Sequence, residues 1–252
     1  MTDIILVGCC GRMGTAVTKA AAGHDDVKIV AGVDIRDSGE CPYPVYGSIS
    51  EVEASADVII DFSNPASLSS VLDYAAAKKV PAVLCATGYS DDDIAAINAA
   101  SEKVAMFRSG NMSLGINVLS KLAEEAAKIL GGSFDVEIVE AHHSNKLDAP
   151  SGTALMLEQS VAKGLSYEPE LVYDRHDRRE KRPENEIGMH SVRGGTIVGE
   201  HEIIFAGNDE IIKLSHTAMS RNIFADGAIS AARYLAGKSA GMYDMGDVIS
   251  EK

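Results

Sequence analysis

The run Asp3-Ile-Ile-Leu-Val7-Gly8-Cys9-Cys10-Gly11-Arg12-Met13-Gly14 decides the fold. Asp3–Val7 is an apolar strand with no alternation, which means burial on both faces. It runs straight into three glycines and then a helix, expected over Gly14–Ala22. In a strand–glycine–helix turn, one glycine makes the tight bend, one lets backbone approach a pyrophosphate, and one lets helix and strand pack closely. The helix start then offers unpaired N–H groups to phosphates. The glycines fall at 8, 11 and 14, a departure from the usual G-x-G-x-x-G spacing. The context compensates, because a second strand, Val27–Asp34, ends in a carboxylate 20 residues past Gly14. An acid there holds ribose hydroxyls. Asp34 favours the free 2′-hydroxyl of NAD, whereas Arg36 suits the 2′-phosphate of NADP, so both NADH and NADPH stay open.

Further apolar runs follow outward from this unit. Val58–Phe62, Ala82–Ala86 and Val104–Arg108 read as strands, with helical patterns at Pro65–Lys79 and after Ser90. Buried strands separated by helices predict a doubly wound, Rossmann-type α/β domain with a parallel sheet. After Ser113 a long helix, Leu114–Leu130, ends at Gly131-Gly132, and the pattern changes. Phe134–Ala141 reads as a strand, Thr153–Lys163 as a helix, and Tyr167–Ile187 as a polar stretch without periodicity. Thr196–Phe205 and Glu210–His216 form a hairpin through Gly207-Asn208-Asp209. This mixture predicts a second, α+β domain over 113–220. The last helix, Phe224–Ala236, and the tail return to the first domain, giving 1–112 plus 221–252.

Composition narrows the function. The 252 residues are 46% apolar and 24% charged, as expected of a globular chain, and the net charge is −14. A surface of that sign repels nucleic acid and anionic membranes, so no nucleic-acid or membrane partner is expected. No apolar stretch approaches the roughly 18 residues of a membrane span, and no signal peptide is visible, so a cytoplasmic location is expected. Cys9, Cys10, Cys41 and Cys85 form neither a CxxC pair nor a cysteine–histidine zinc spacing, and are read as free thiols with no metal site. Asp174–Arg182 (DRHDRREKR) carries five basic and three acidic residues without aromatics, and reads as a solvated loop.

The chemistry concentrates in Glu140-Ala-His-His-Ser-Asn-Lys-Leu-Asp-Ala-Pro-Ser-Gly-Thr-Ala154. Two histidines and a lysine stand at a strand end, beside a helix whose natural N-cap is Ser151. His142, His143 and Lys146 bring positive or proton-donating groups into an acidic protein. The helix N–H groups add an anion site. Together they suit a small molecule with carboxylates and a bond to be reduced and protonated.

This segment resembles the signature of dihydrodipicolinate reductases, and Gly8-x-x-Gly11-Arg12-Met13-Gly14 is similar to that family's cofactor loop. Asp61-Phe62-Ser63, the run Gly110–Val118, Ile197–His201 and Ser220-Arg221 are similar in turn, so the resemblance covers nearly the whole chain. It implies NAD(P)H-dependent reduction of 4-hydroxy-tetrahydrodipicolinate (dihydrodipicolinate) to tetrahydrodipicolinate, in diaminopimelate and lysine biosynthesis, by a homotetramer. It implies that Gly8, Cys9, Cys10, Gly11, Arg12, Met13 and Asp34 bind the dinucleotide. Cys85-Ala86-Thr87 and Ser109-Gly110-Asn111-Met112 would flank the nicotinamide. His142 would be the acid/base residue and Lys146 the proton donor, with His143, Gly152 and Thr153 on the dicarboxylate substrate. Two departures bear on cofactor preference: Cys85-Ala86-Thr87 stands where relatives often have Gly-Thr-Thr, and Ile35 separates Asp34 from Arg36. An aspartate- or homoserine-type dehydrogenase would keep the glycine loop but lack the double-histidine segment. A nicotinamide-sensing regulator would need a basic nucleic-acid-reading module.

Overall fold

The computed structural model describes residues 1–251. In chain order, β1 (Thr2–Val7), α1 (Arg12–Ala21), β2 (Val27–Val33), β3 (Val45–Tyr46) and β4 (Val58–Asp61) come first. They are followed by α2 (Leu68–Lys78), β5 (Ala82–Leu84), α3 (Asp91–Ser101) and β6 (Ala105–Arg108). Then come α4 (Leu114–Leu130), β7 (Asp135–His142), α5 (Gly152–Gly164), β8 (Glu170–Val172), β9 (Glu186–Arg193), β10 (Gly199–Ala206) and β11 (Ile211–Ala218). The chain closes with α6 (Asn222–Leu235), β12 (Gly241–Tyr243) and α7 (Met245–Ser250). It separates into two compact units, Met1–Ser113 with the stretch from Arg221 onward, and Leu114–Ser220.

The first unit holds a seven-stranded, wholly parallel sheet in the order β12-β6-β5-β4-β1-β2-β3. The order reverses between β1 and β4, the switch point at which open α/β sheets bind ligands. Ile4, Ile5, Leu6, Ile59 and Ile60 are fully buried, each contributing about 1.5–3 kcal/mol over exposure. Ser90 starts α3 with a capping box, its Oγ accepting from the Asp93 N–H while the Asp93 carboxylate accepts from the Ser90 N–H.

The second unit holds a five-stranded mixed sheet, β11-β10-β7-β9-β8. β7 lies antiparallel to β10 and parallel to β9. Alternation along β7 buries Val136, Ile138, Glu140 and His142 on one face. There Val136 and Ile138 join Leu119 and Ala123 of α4, Leu157 and Val161 of α5, and Phe205 of β10 in a single core. That buried face is apolar for half its length and ionisable for the rest.

The structure corrects the sequence reading at several points. α1 begins at Arg12, not Gly14, because Gly11 is already the extended N-cap. The stretch 65–79 splits into a 3-10 turn, Pro65–Ser67, and α2. β3 and β12, of two and three residues, are too short to show a period. The stretch Tyr167–Ile187 contains β8 and the first strand residues of β9. β9 is hidden in the sequence because its buried first residue is Glu186, an acid whose burial depends on arginines elsewhere. Those arginines come from the loop expected to be solvated. Arg175 bonds the Glu186 carboxylate. Arg182 reaches Asp135 (2.8 Å), Glu137 (3.0 Å) and the Val136 carbonyl (2.8 Å). The segment is a clasp over β7 and β9.

Candidate active site

Two sites take shape, one in each unit. In the first unit, parallel strands bring all their carboxyl ends to one edge, and the residues expected to hold a cofactor leave the sheet there. Gly8 has φ +77°, and a Cβ on it would lie 2.9 Å from the Phe62 carbonyl and the Ser63 nitrogen. A Cβ on Gly14 would lie 2.2 Å from the Gly8 oxygen. Both positions therefore exclude side chains, Gly8 for its backbone conformation and Gly14 for the contact of helix with loop. The Asp34 carboxylate accepts the Cys10 N–H at 3.0 Å and the Arg36 N–H at 3.2 Å. This ties the end of β2 to the glycine loop. A cleft of about 420 Å³ opens here, lined by Gly8, Gly11, Asp34, Ser48, Phe62 and Ser63 among others. Gly11 and Arg12 are exposed, Cys10 and Met13 half-buried, and the Cys9 side chain turns inward with 1% exposure. Cys9 can thus offer a dinucleotide in this cleft only its backbone.

Cys85-Ala86-Thr87 follows β5 directly, and Ser109-Gly110-Asn111-Met112 follows β6. Ser109 Oγ donates to the Asn111 carbonyl (3.0 Å), and the Asn111 side chain accepts the Ser113 N–H (2.8 Å), fixing that turn. Burial pushes the Asp61 carboxyl up, against the opposing hydrogen bonds from Ser63. Asp61 thereby orders the Ser63 turn beside the cleft, a role its place at the end of an apolar strand did not reveal. The backbone cradle, the tethered acid and the cleft fit a dinucleotide.

In the second unit, register assembles the chemistry. Glu140 pairs across β7–β10 with His201, and His142 pairs across β7–β9 with Arg193. Glu140 is fully buried. It accepts from both Arg193 guanidinium nitrogens (2.8 and 2.7 Å), from the Ser151 N–H (3.2 Å), and from His142 Nδ1 at 2.6 Å. Burial would raise its carboxyl, but the bonds from Arg193 and His142 outweigh burial and hold it at about 2. Glu140 is therefore an ionised acceptor, so His142 carries its proton on Nδ1 and presents Nε2 as the exchangeable nitrogen. Gly199 makes room for that edge, since a Cβ there would lie 3.0 Å from Nε2.

His201 stands edge-on to His142, ring centres 5.2 Å apart, and its Nε2 lies 3.0 Å from Ser151 Oγ. Burial, then the neighbouring His142, lowers it to about 4, so it is neutral at physiological pH. Ser151 caps α5 by accepting the Ala154 N–H at 3.1 Å. The space over Gly152 is open. Lys146 forms an ion pair with the exposed Asp148 at 2.9 Å. Burial and register thus connect His142 and Ser151 through Glu140, and Lys146, His143, Gly152 and Thr153 follow on the same segment, 142–153. Sequence reasoning gave no role to Arg193, Glu140 or His201. One signal was available: a carboxylate on the buried face of β7 requires a cation. Its identity was not readable, because Arg193 lies 53 residues away.

A family model described as dihydrodipicolinate reductase, N-terminus, matches residues 2–112, and one described as dihydrodipicolinate reductase, C-terminus, matches 115–249. The chain belongs to the dihydrodipicolinate reductase family. It is an oxidoreductase, and its cofactor is NADH or NADPH. It is 47% identical over 251 residues to a 4-hydroxy-tetrahydrodipicolinate reductase of Caldanaerobacter subterraneus subsp. tengcongensis, covering 100% of this chain and 99% of that one. It is 44% identical to the enzyme of the same name from Clostridium tetani, covering 97% and 96%. In fold it is similar to a dipicolinate-bound dihydrodipicolinate reductase from Paenisporosarcina sp. TG-14, with a TM-score of 0.82, 24% identity and 97% of each chain covered. No helix among the described residues of this reductase is long and apolar enough to cross a membrane.

Proposed function

We propose that the chain reduces 4-hydroxy-tetrahydrodipicolinate to tetrahydrodipicolinate in the diaminopimelate route to lysine. The observation that carries this reading is His142, locked by the buried Glu140–Arg193 pair on the segment that also bears Lys146 and the start of α5. Loss of water from the hydroxylated ring would leave a conjugated imine, to whose C4 a bound nicotinamide would supply the hydride. The protein's task is to hold a planar dicarboxylate and to move one proton. Lys146 exchanges its Asp148 partner for a substrate carboxylate and donates the proton that completes the reduction. His142, oriented through Nδ1, acts as acid/base at Nε2. His143 and the backbone of Gly152 and Thr153 take the carboxylates at the helix start. The dipicolinate held by the Paenisporosarcina relative supports this substrate class.

A homotetramer formed through the second unit's sheet belongs to the same proposal. The β7–β9 face opposite α4 and α5 carries Val139, Ala141 and Val192, and Val192 is 50% exposed.

The test follows NADH and NADPH oxidation by absorbance with freshly made dihydrodipicolinate-synthase product. Turnover is expected with that substrate, with competitive inhibition by pyridine-2,6-dicarboxylate. Pyridine-2-carboxylate, one charge-assisted contact set short, should bind about 1.5–3 kcal/mol more weakly. Equal inhibition by the two acids, or none by the dicarboxylate, would remove the basis for placing substrate at this segment.

A further inference from the structure

Three thiols that lie apart in the sequence meet beside the glycine loop. Cys9 Sγ and Cys10 Sγ are 3.8 Å apart, Cys10 Sγ and Cys41 Sγ 3.9 Å, and all three sulfurs lie within 4.8 Å of one another. The group is built into the unit. Gly32 leaves the space that Cys9 fills, since a Cβ there would lie 2.6 Å from the Cys9 sulfur and from the Tyr43 ring. The Tyr43 hydroxyl is in turn held 2.6 Å from Thr18 Oγ1 on α1. All four cysteines of the chain are unpaired.

We propose that Cys9, Cys10 and Cys41 bind a soft, closed-shell divalent cation of the Zn²⁺ or Cd²⁺ class. Tetrahedral thiolate coordination has metal–sulfur bonds of about 2.3 Å and hence sulfur–sulfur edges of about 3.8 Å, and two of the three edges already have that length. Closing the third edge requires only a small movement of Cys41, which is half-buried in the segment between β2 and β3. A disulfide does not account for the whole group. Neighbouring Cα atoms across a trans peptide are about 3.8 Å apart, below the usual disulfide range that starts near 4.4 Å, so a Cys9–Cys10 bridge would be strained, and any single bridge leaves the third thiol of the group over. Bound metal would staple Cys9 and Cys10 to the segment after Asp34, and so fix the loop whose Cys10 N–H meets that carboxylate. Thiolate ligation displaces thiol protons, so the cation should bind more tightly as pH rises.

The whole chain, reduced with a phosphine and freed of metal, is titrated with Cd²⁺ while sulfur-to-metal charge transfer is followed in the near ultraviolet. Zn²⁺ affinity is read by competition with a chromophoric chelator. One equivalent per chain is expected. Loss of a second-shell partner alone costs 10–100-fold, so Cys41→Ser, which removes a direct ligand, should weaken binding by about 100-fold or more. That variant should keep NADH binding, which shows that it is folded. Cys10→Ser should lose metal to the same degree. Zn²⁺ should raise the melting temperature of the wild type and not of Cys41→Ser. Cd²⁺ binding of equal strength in the wild type and Cys41→Ser, or no charge-transfer band in the fully reduced wild type, would overturn the proposal.

Discussion

Around Gly8–Gly14 the first unit leaves side chains out, whereas around Glu140 the second unit packs charged ones where water does not reach. At the loop, the function of Gly8 and Gly14 is the absence of a Cβ that would strike Phe62 or the Gly8 carbonyl. At β7, a carboxylate with no exposure is balanced by a bidentate arginine, a histidine and a backbone N–H. Local conformation tolerates error gradually. A buried ionic network does not, because each member removed leaves another uncompensated. The second site should therefore respond to mutation and pH far more sharply than the first.

The largest break in that comparison is Arg193→Ala. It leaves the fully buried Glu140 carboxylate without its bidentate guanidinium and should destabilise the second unit by about 3–5 kcal/mol, read by denaturant unfolding. Arg193→Lys restores the charge but not the fork, and should recover only part of the loss. A loss of under about 1 kcal/mol for Arg193→Ala would make this pair a surface ion pair in effect and erase the contrast.

A pH effect comes next. His201 is lowered from 6.5 to about 4 in the folded chain. Between those values the unfolded state binds the extra proton, so stability is full above about 6.5 and is lost as pH falls toward about 4. The loss is up to about 3 kcal/mol. The Glu140 contribution disappears only lower, between 4.5 and about 2. His201→Gln should flatten the unfolding free energy between pH 6.5 and 4. An unchanged slope in that variant would mean that His201 does not set the acid limit of this unit.

Catalysis sharpens the division between the two sites. His142→Gln and Lys146→Ala should each lower kcat by about 10²-fold or more while NADH affinity barely moves. Two variants that retain near wild-type kcat in steady-state assays would refute the assigned roles.

The smallest effect belongs to the first unit. Asp34 suits the ribose hydroxyls and Arg36 a phosphate, so calorimetric affinities for NADH and NADPH should differ by no more than about tenfold, or 1.4 kcal/mol. A preference for NADPH beyond about a hundredfold would place Asp34 away from the ribose.

The sequence on its own determined whatever rests on local rules. The strand–glycine–helix start, the acid ending β2, the capping serines at 90 and 151, and the hairpin at 207–209 are each written within a few consecutive residues. The parallel sheet follows from apolar runs spaced by helices, and of the motifs that carry the family resemblance along the chain, the one that decides it is the continuous segment Glu140–Ala154. Tertiary structure decided the rest. β9 was invisible because its first buried residue is Glu186, tolerable only with arginines from another segment. The Glu140–Arg193 pair and the meeting of Cys41 with Cys9 and Cys10 join residues 53 and 31 positions apart. A strand's period states which face a side chain occupies. Only the pairing of strands and the path of the loops state what stands opposite, and charges and thiols act through what stands opposite them.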